Sequence, residues 1–215
     1  MTHPWVLSAG IPRQVEHLPA SFVDSLRVAA NVSDTGRPES ELIILARKGD
    51  QAAYGVLVRR HQDRIYRHLL NLTGSREEAL ELAQEVFIKA WQAMPTWQPE
   101  AQFHTWLYRI ASNAALDVLR RRKVVPFVPL DDDYDAPADQ PGPEGQLQAR
   151  QGLRRLDEAL ARLPQEQREI VLLREVEGLS YDELATTLGI DQGTVKSRLS
   201  RARVALAAQY NGTGK

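Results

Sequence analysis

The sequence predicts an all-α chain: two small helical domains, a bundle and a helix-turn-helix domain, joined by a flexible acidic linker. Three observations predict the architecture. Apolar residues recur at helical spacing on both sides of the middle of the chain, proline and aspartate crowd the stretch between Val124 and Gly145, and no segment alternates as a strand would. The 215 residues, 43% of them hydrophobic, suffice for one medium domain or two small ones.

From the N-terminus, residues 1–39 hold Pro4, Pro12, Pro19 and Pro38 without a sustained period. They predict a poorly ordered extension with at most a short helix over Ser21 to Ala30. Ser40 to Lys48 predicts a short helix stopped by Gly49. Asp50 is a candidate N-cap for a helix to about Leu72, with Ala53, Leu57, Ile65, Leu69 and Leu72 among its apolar positions and Gly74 as its end. Ser75 to Glu78 has the pattern of a capping box and opens a helix that runs to Pro95. A loop, Pro95 to Gln102, precedes a helix from about Phe103 to Arg122.

Residues 124–149 carry no basic and six acidic residues, against 13 basic and nine acidic over 41–123 and 11 basic and nine acidic over 150–215. A segment with Asp131, Asp132, Asp133 and Asp135 among five prolines buries too little apolar surface to offset its ordering entropy, so it predicts an extended linker. The expected domains are 40–123 and 147–210, a linker over 124–146 and a tail over 211–215. Beyond the linker, Leu147 to Leu163 predicts one helix, and Pro164 starts another that runs to Gly178.

Ser180 to Glu183 is a second capping box. It begins a short helix ending at Leu188, Gly189 supplies a left-handed turn, Ile190 is a candidate buried turn position, and Asp191 caps the last helix. Two helices across a tight glycine turn, the second one basic, make a helix-turn-helix. At 100° per residue, Val195, Leu199, Ala202 and Leu206 share one face. Gly193, Lys196, Ser197, Ser200 and Arg201 fall opposite, flanked by Thr194 and Arg198. Small residues near a helix N-terminus, with cations behind them, suit approach to base edges and phosphates.

Composition excludes several functions. The chain has no cysteine, so it has no disulfide, thiolate zinc site or cysteine nucleophile. No apolar run approaches the ~20 residues of a membrane span, and Met1 to Gly10 shows no signal peptide, so the expected compartment is the cytoplasm. The aspartates at 131–135 would suit a magnesium site only on a rigid frame, and they lie among prolines. His61 and His68 are seven residues apart on one helix, too far for one metal, and His104 is remote. No phosphate-binding glycine loop is present. The chain is expected to be no enzyme, with no cofactor, metal or small-molecule substrate.

Several blocks together resemble the extracytoplasmic-function sigma factors of the sigma-70 family. Glu81-Leu82-Ala83-Gln84-Glu85-Val86-Phe87-Ile88-Lys89-Ala90-Trp91 is similar to the family's polymerase-binding helix. Phe103 to Ala111, with Asn113, is similar to its promoter-melting helix. Leu163-Pro164, Gln167 to Glu169, Gly178 to Tyr181 and Gly193 to Arg198 are similar to its second DNA-binding domain. The family often has Asp where Glu81 stands, which preserves charge, and its members usually begin near the first helix.

The resemblance implies an alternative sigma factor, with a sigma2-like helical bundle over 40–123 and a sigma4-like helix-turn-helix domain over 147–210. Such a protein binds core RNA polymerase through the clamp helices and the flap, reads a −35 duplex, and captures a melted −10 strand. For polymerase it implicates Glu81, Gln84, Glu85, Ile88 and Gln92, an acidic outward face around one aliphatic residue, backed by an inner stripe of Ala79, Ala83, Val86, Phe87 and Ala90. For the −10 strand it implicates the Pro95–Gln102 loop with Trp97 and Gln98, and Arg109, Asn113, Asp117, Arg120, Arg121 and Arg122 on the following helix. Trp97 is the candidate for base contact, whereas Trp106, Leu107 and Ile110 are expected in the core. For −35 bases it implicates Lys196, Ser197, Ser200 and Arg201, and for phosphates Thr194, Arg198 and Arg203. It also implies an anti-sigma factor, often membrane-anchored, as a partner. The competing expectation is a stand-alone helix-turn-helix regulator, which would leave Glu81 to Trp91 and the loop after Pro95 unexplained.

Overall fold

The computed structural model describes residues 36–99, 101–121 and 143–212, with the backbone alone for 143–150. The expected helix over Ser21–Ala30, the aspartates at 131–135 and Arg122 lie outside these residues. Every element among the described residues is helical.

The first half contains α1 (Glu39–Arg47), α2 (Gln51–Thr73), α3 (Arg76–Ala93) and α4 (Phe103–Arg121). Their ends follow local chemistry. Asp50 accepts a hydrogen bond from Ala53 N at 3.0 Å and so satisfies a backbone donor that α2 cannot. Gly74 closes α2 at φ 65°, a left-handed conformation that glycine adopts without Cβ strain. Ser75 Oγ accepts from Glu78 N at 3.4 Å at the start of α3.

Helix α2 packs against α1, α3 and α4, and α3 against α4. The core is rich in aromatic rings. Tyr54 is 1% exposed and donates its hydroxyl to the Phe87 carbonyl at 2.6 Å. Trp97 stacks on Trp106 with ring centroids 4.8 Å apart and planes 20° apart, and Phe103 lies against both.

The second half contains α5 (Pro143–Ala161), α6 (Gln165–Val171), one π turn (Leu172–Val176), α7 (Tyr181–Leu188) and α8 (Gln192–Gly212). Helix α5 starts four residues before the expected Leu147, inside the expected linker. Proline's fixed φ suits the first turn, where its missing N–H costs no hydrogen bond. The helix expected to run from Pro164 to Gly178 instead ends at Val171 and widens into the π turn, where Glu177 N bonds to Leu172 O at 3.1 Å.

The helix-turn-helix has the expected chemistry. Ser180 and Glu183 form both halves of the capping box, Gly189 turns at φ 65°, and Asp191 accepts from Thr194 N at 2.9 Å. Val195, Leu199 and Ala202 are buried and Leu206 is half-buried. Ile190, expected to be buried, is only half-buried, because the tight turn leaves it at the edge of the packing.

The two halves touch. Helix α4 lies against α7, α2 meets α6 and the π turn, and the apolar interior is continuous between the halves. Arg168 of α6 is 7% exposed and stitches them together. Its guanidinium donates to the carbonyls of Leu160 (2.9 Å), Ala161 (2.6 Å) and Leu163 (3.4 Å) near the end of α5. It also reaches Leu72 O of α2 at 3.2 Å. One planar cation thereby satisfies helix-end carbonyls that lack partners within their own helices.

Candidate polymerase and nucleic-acid interfaces

Helix α3 presents two unlike faces. Ala79, Leu82, Ala83, Val86, Phe87 and Ala90 are buried against α2 and α4. On the other side Glu81 and Gln92 are exposed, while Gln84, Glu85 and Ile88 are half-buried. Glu85 pairs with Lys89 at 2.6 Å, one turn on. The result is an acidic, amide-bearing surface around one aliphatic side chain, a mixture suited to a partner helix.

Residues between α3 and α4, with α4 itself, border a half-open cavity of about 300 Å³. Thr96, Trp97, Gln98, Trp106 and Arg109 line it, and Thr186 of α7 contributes from the second half. Trp97, the candidate for base contact, is docked inward. It is 8% exposed, held by its stack on Trp106, and offers the cavity an aromatic wall. Trp106 and Leu107 are core residues, and Ile110 packs at the core's edge. Gln98, Arg109, Asn113, Asp117, Arg120 and Arg121 are exposed. Arg109, Asn113, Asp117 and Arg120 recur at i, i+4, i+8 and i+11, so they form one open stripe along α4. Asp117 and Arg120 approach to 3.8 Å.

A neighbouring flank of α4 is closed, and it holds groups that helical spacing did not single out. Thr105 Oγ1 donates to Glu183 Oε1 at 3.0 Å, and His104 Nε2 lies 3.0 Å from the same oxygen. The Tyr108 hydroxyl donates to Glu177, and Arg64 Nε lies 3.7 Å from the same carboxylate. Burial pushes the Glu177 carboxyl up, against the pull of the Tyr108 hydrogen bond and of Arg64 and Arg67. Burial acts the same way on Glu183, but hydrogen bonds from Ser180 and Thr105 outweigh it and hold that carboxyl below its usual range. Beneath this flank His68 is fully buried, edge-on to Tyr108 with centroids 5.1 Å apart. Burial pushes its pKa down to about 3, so the ring is neutral at ordinary pH. His61 hydrogen-bonds Glu39 at 3.0 Å, and no cluster of three metal-binding side chains occurs among the described residues.

On α8 the expected outward face is open. Gly193, Lys196, Ser197, Ser200, Arg201 and Arg203 are exposed, and Thr194 and Arg198 are half-buried. Arg198 lies 3.4 Å from Glu166, and Arg203 lies 2.6 Å from Glu175. Neither pair touches Lys196 or Arg201, which leaves the centre of the face as cations around small hydroxyls.

Comparison with known proteins places both halves in one family. Residues 57–124 match the family model described as Sigma-70 region 2, and residues 153–206 match Sigma-70, region 4. The ECF RNA polymerase sigma factor SigE of Mycolicibacterium smegmatis is 38% identical over 206 residues, covering 94% of this chain and 77% of that protein. The RNA polymerase sigma-H factor of Pseudomonas aeruginosa is 33% identical, covering 80% of this chain and 93% of its own. Among solved structures, CnrH in complex with the cytosolic domain of CnrY aligns with TM-score 0.62 at 27% identity, over 81% of this chain and 97% of that one.

Proposed function

The chain belongs to the extracytoplasmic-function sigma factors of the sigma-70 family, and on that premise we propose how its surfaces share the work of starting transcription. As an alternative sigma factor it joins core RNA polymerase and directs it to promoters. The proposed division has three parts.

The outward face of α3, with Glu81, Gln84, Glu85, Ile88 and Gln92, meets the polymerase clamp helices. The α4 stripe and the cavity behind Gln98 take the melted −10 strand. Opening a duplex requires unstacked bases to be held, and a cavity with an indole wall, an amide and the Arg109 cation suits one flipped base beside a cationic backbone path. Helix α8 reads the −35 duplex, with Lys196, Ser197, Ser200 and Arg201 toward bases and Thr194, Arg198 and Arg203 toward phosphates.

The carrying observation is that α3, α4 and α8 each pair a buried back with exposed or half-buried polar side chains opposite it, the first two inside the region 2 match and the last at the region 4 match. A helix-turn-helix regulator acting without polymerase needs only the second region and has no use for the first.

In the same reading, residues 40–123 and 143–210 are the working domains, 124–142 the tether, and the chain itself catalyses no reaction. The compartment is that of its polymerase, the cytoplasm, and no described helix is long and apolar enough to cross a membrane. CnrH is solved with the cytosolic domain of CnrY, and we propose a comparable anti-sigma partner for this chain.

Run-off transcription with core enzyme and genomic fragments tests the reading. The chain should yield discrete start sites. Arg201→Glu should lower their output more than tenfold, about the cost of losing one base contact and adding repulsion. No product from any fragment would sink the assignment.

A further inference from the structure

The closed flank of α4 gathers hydrogen-bond donors. Arg64 stands at its edge on α2, and His104, Thr105 and Tyr108 come from α4. A guanidinium, an imidazole and two hydroxyls on one surface suit an oxyanion, and they adjoin the cavity that Thr105, Trp106 and Arg109 help to line. Two carboxylates of the second half occupy these donors. Glu177 takes Tyr108 and Arg64, and its side chain is 6% exposed. Glu183 takes Thr105 and His104. A helix-turn-helix that only needed to pack beside α4 could do so with apolar residues, and the desolvation of Glu177 makes its placement costly.

We propose that this flank is a backbone-phosphate track for the DNA strand entering the cavity, and that Glu177 and Glu183 fill it in place of phosphates while the two halves are docked. Strand and second half then compete for the same donors. The chain between Arg121 and Pro143 has a fully extended reach of about 75 Å, enough for the second half to leave its seat while remaining tethered. The outward face of α8 stays open in the docked form, as do Glu81 and Gln92 of α3. The inference rests on the proposed use of the cavity for a base.

Anisotropy of fluorescein-labelled oligo(dT) with the full chain tests it. The Glu177→Gln/Glu183→Gln variant should bind about tenfold more tightly than the parent and with a steeper salt dependence, as further phosphates are engaged. An equal charge change at exposed Glu77 and Glu158 is the reference and should raise binding less than about twofold. Adding Thr105→Val and Tyr108→Phe to the first variant should weaken binding again by about fivefold. The proposal is overturned if the Glu177/Glu183 change has no more effect than the reference, or if removing the hydroxyls has none. Should the double variant fail to fold, Glu183→Gln alone carries the same test, because its amide oxygen can still accept from Ser180 N. Transcription by the parent bears only on the preceding reading, so the two fail separately.

Discussion

The outward face of α8 and the closed flank of α4 are built from similar groups and treated oppositely. Both combine guanidinium groups with hydroxyls. On α8, Lys196, Ser197, Ser200 and Arg201 are left to solvent, and the ion pairs of the helix lie at its margins. On α4, Thr105 and Tyr108 are buried, and each is bonded to a carboxylate from the other half. Similar chemistry is therefore available at once in one place and only after a rearrangement in the other. The difference lies in the neighbouring body, since α7 covers α4 and nothing among the described residues covers the outward face of α8.

The firmest way to break this contrast is through Arg168. Replacing it with Met keeps much of the volume but strips donors from carbonyls of both halves. Urea denaturation should show a loss of about 3 kcal/mol, and amide exchange should quicken in α5 and α6 together.

His68 sharpens the contrast from beneath. Its folded pKa lies near 3 and its unfolded value near 6.5. Below 6.5 the unfolded chain binds a proton that the folded chain refuses, so stability falls as pH drops from 6.5 toward 3 and is unaffected by this group above that window. Between pH 7 and pH 5 the cost is about 2 kcal/mol. Denaturation midpoints of His68→Leu across that range should fall less steeply than those of the parent.

Arg198→Ala should have the smallest effect. Its partner Glu166 is 74% exposed, so the pair contributes less than about 0.5 kcal/mol, and thermal melting should barely change.

Much of this architecture was legible from local rules. Asp50, Gly74, Ser180, Gly189 and Asp191 announce helix ends because capping involves residues a few positions apart. The buried stripe of α3 and the split of α8 follow from spacing alone. Helical spacing separates inside from outside on one helix, but it does not say which other helix lies outside. The partners that Arg168, Glu177 and Glu183 find in the other half are therefore not legible from spacing, since they lie 69 to 113 residues away in sequence. The Trp97 indole belongs with them, since only the fold brings Trp106 beneath it. The residues of α4 with periodic burial include Thr105, Tyr108 and Ser112 as well as its apolar stripe. A helix with so wide a buried sector needs a second neighbour.

The π turn at Leu172–Val176 has a consequence for how the chain could vary in length. Such a turn is one extra residue absorbed into a helix, so the residues on either side keep the directions that ordinary winding would give them. Deleting a residue inside it would restore α-helical winding, with Glu177 still aimed at Tyr108 and with α7 and α8 still in place. The same deletion inside α6, which has no residue to spare, would swing Glu177 about 100° around the axis and part it from α4. Two deletions only a few positions apart would thus differ in whether the halves stay joined.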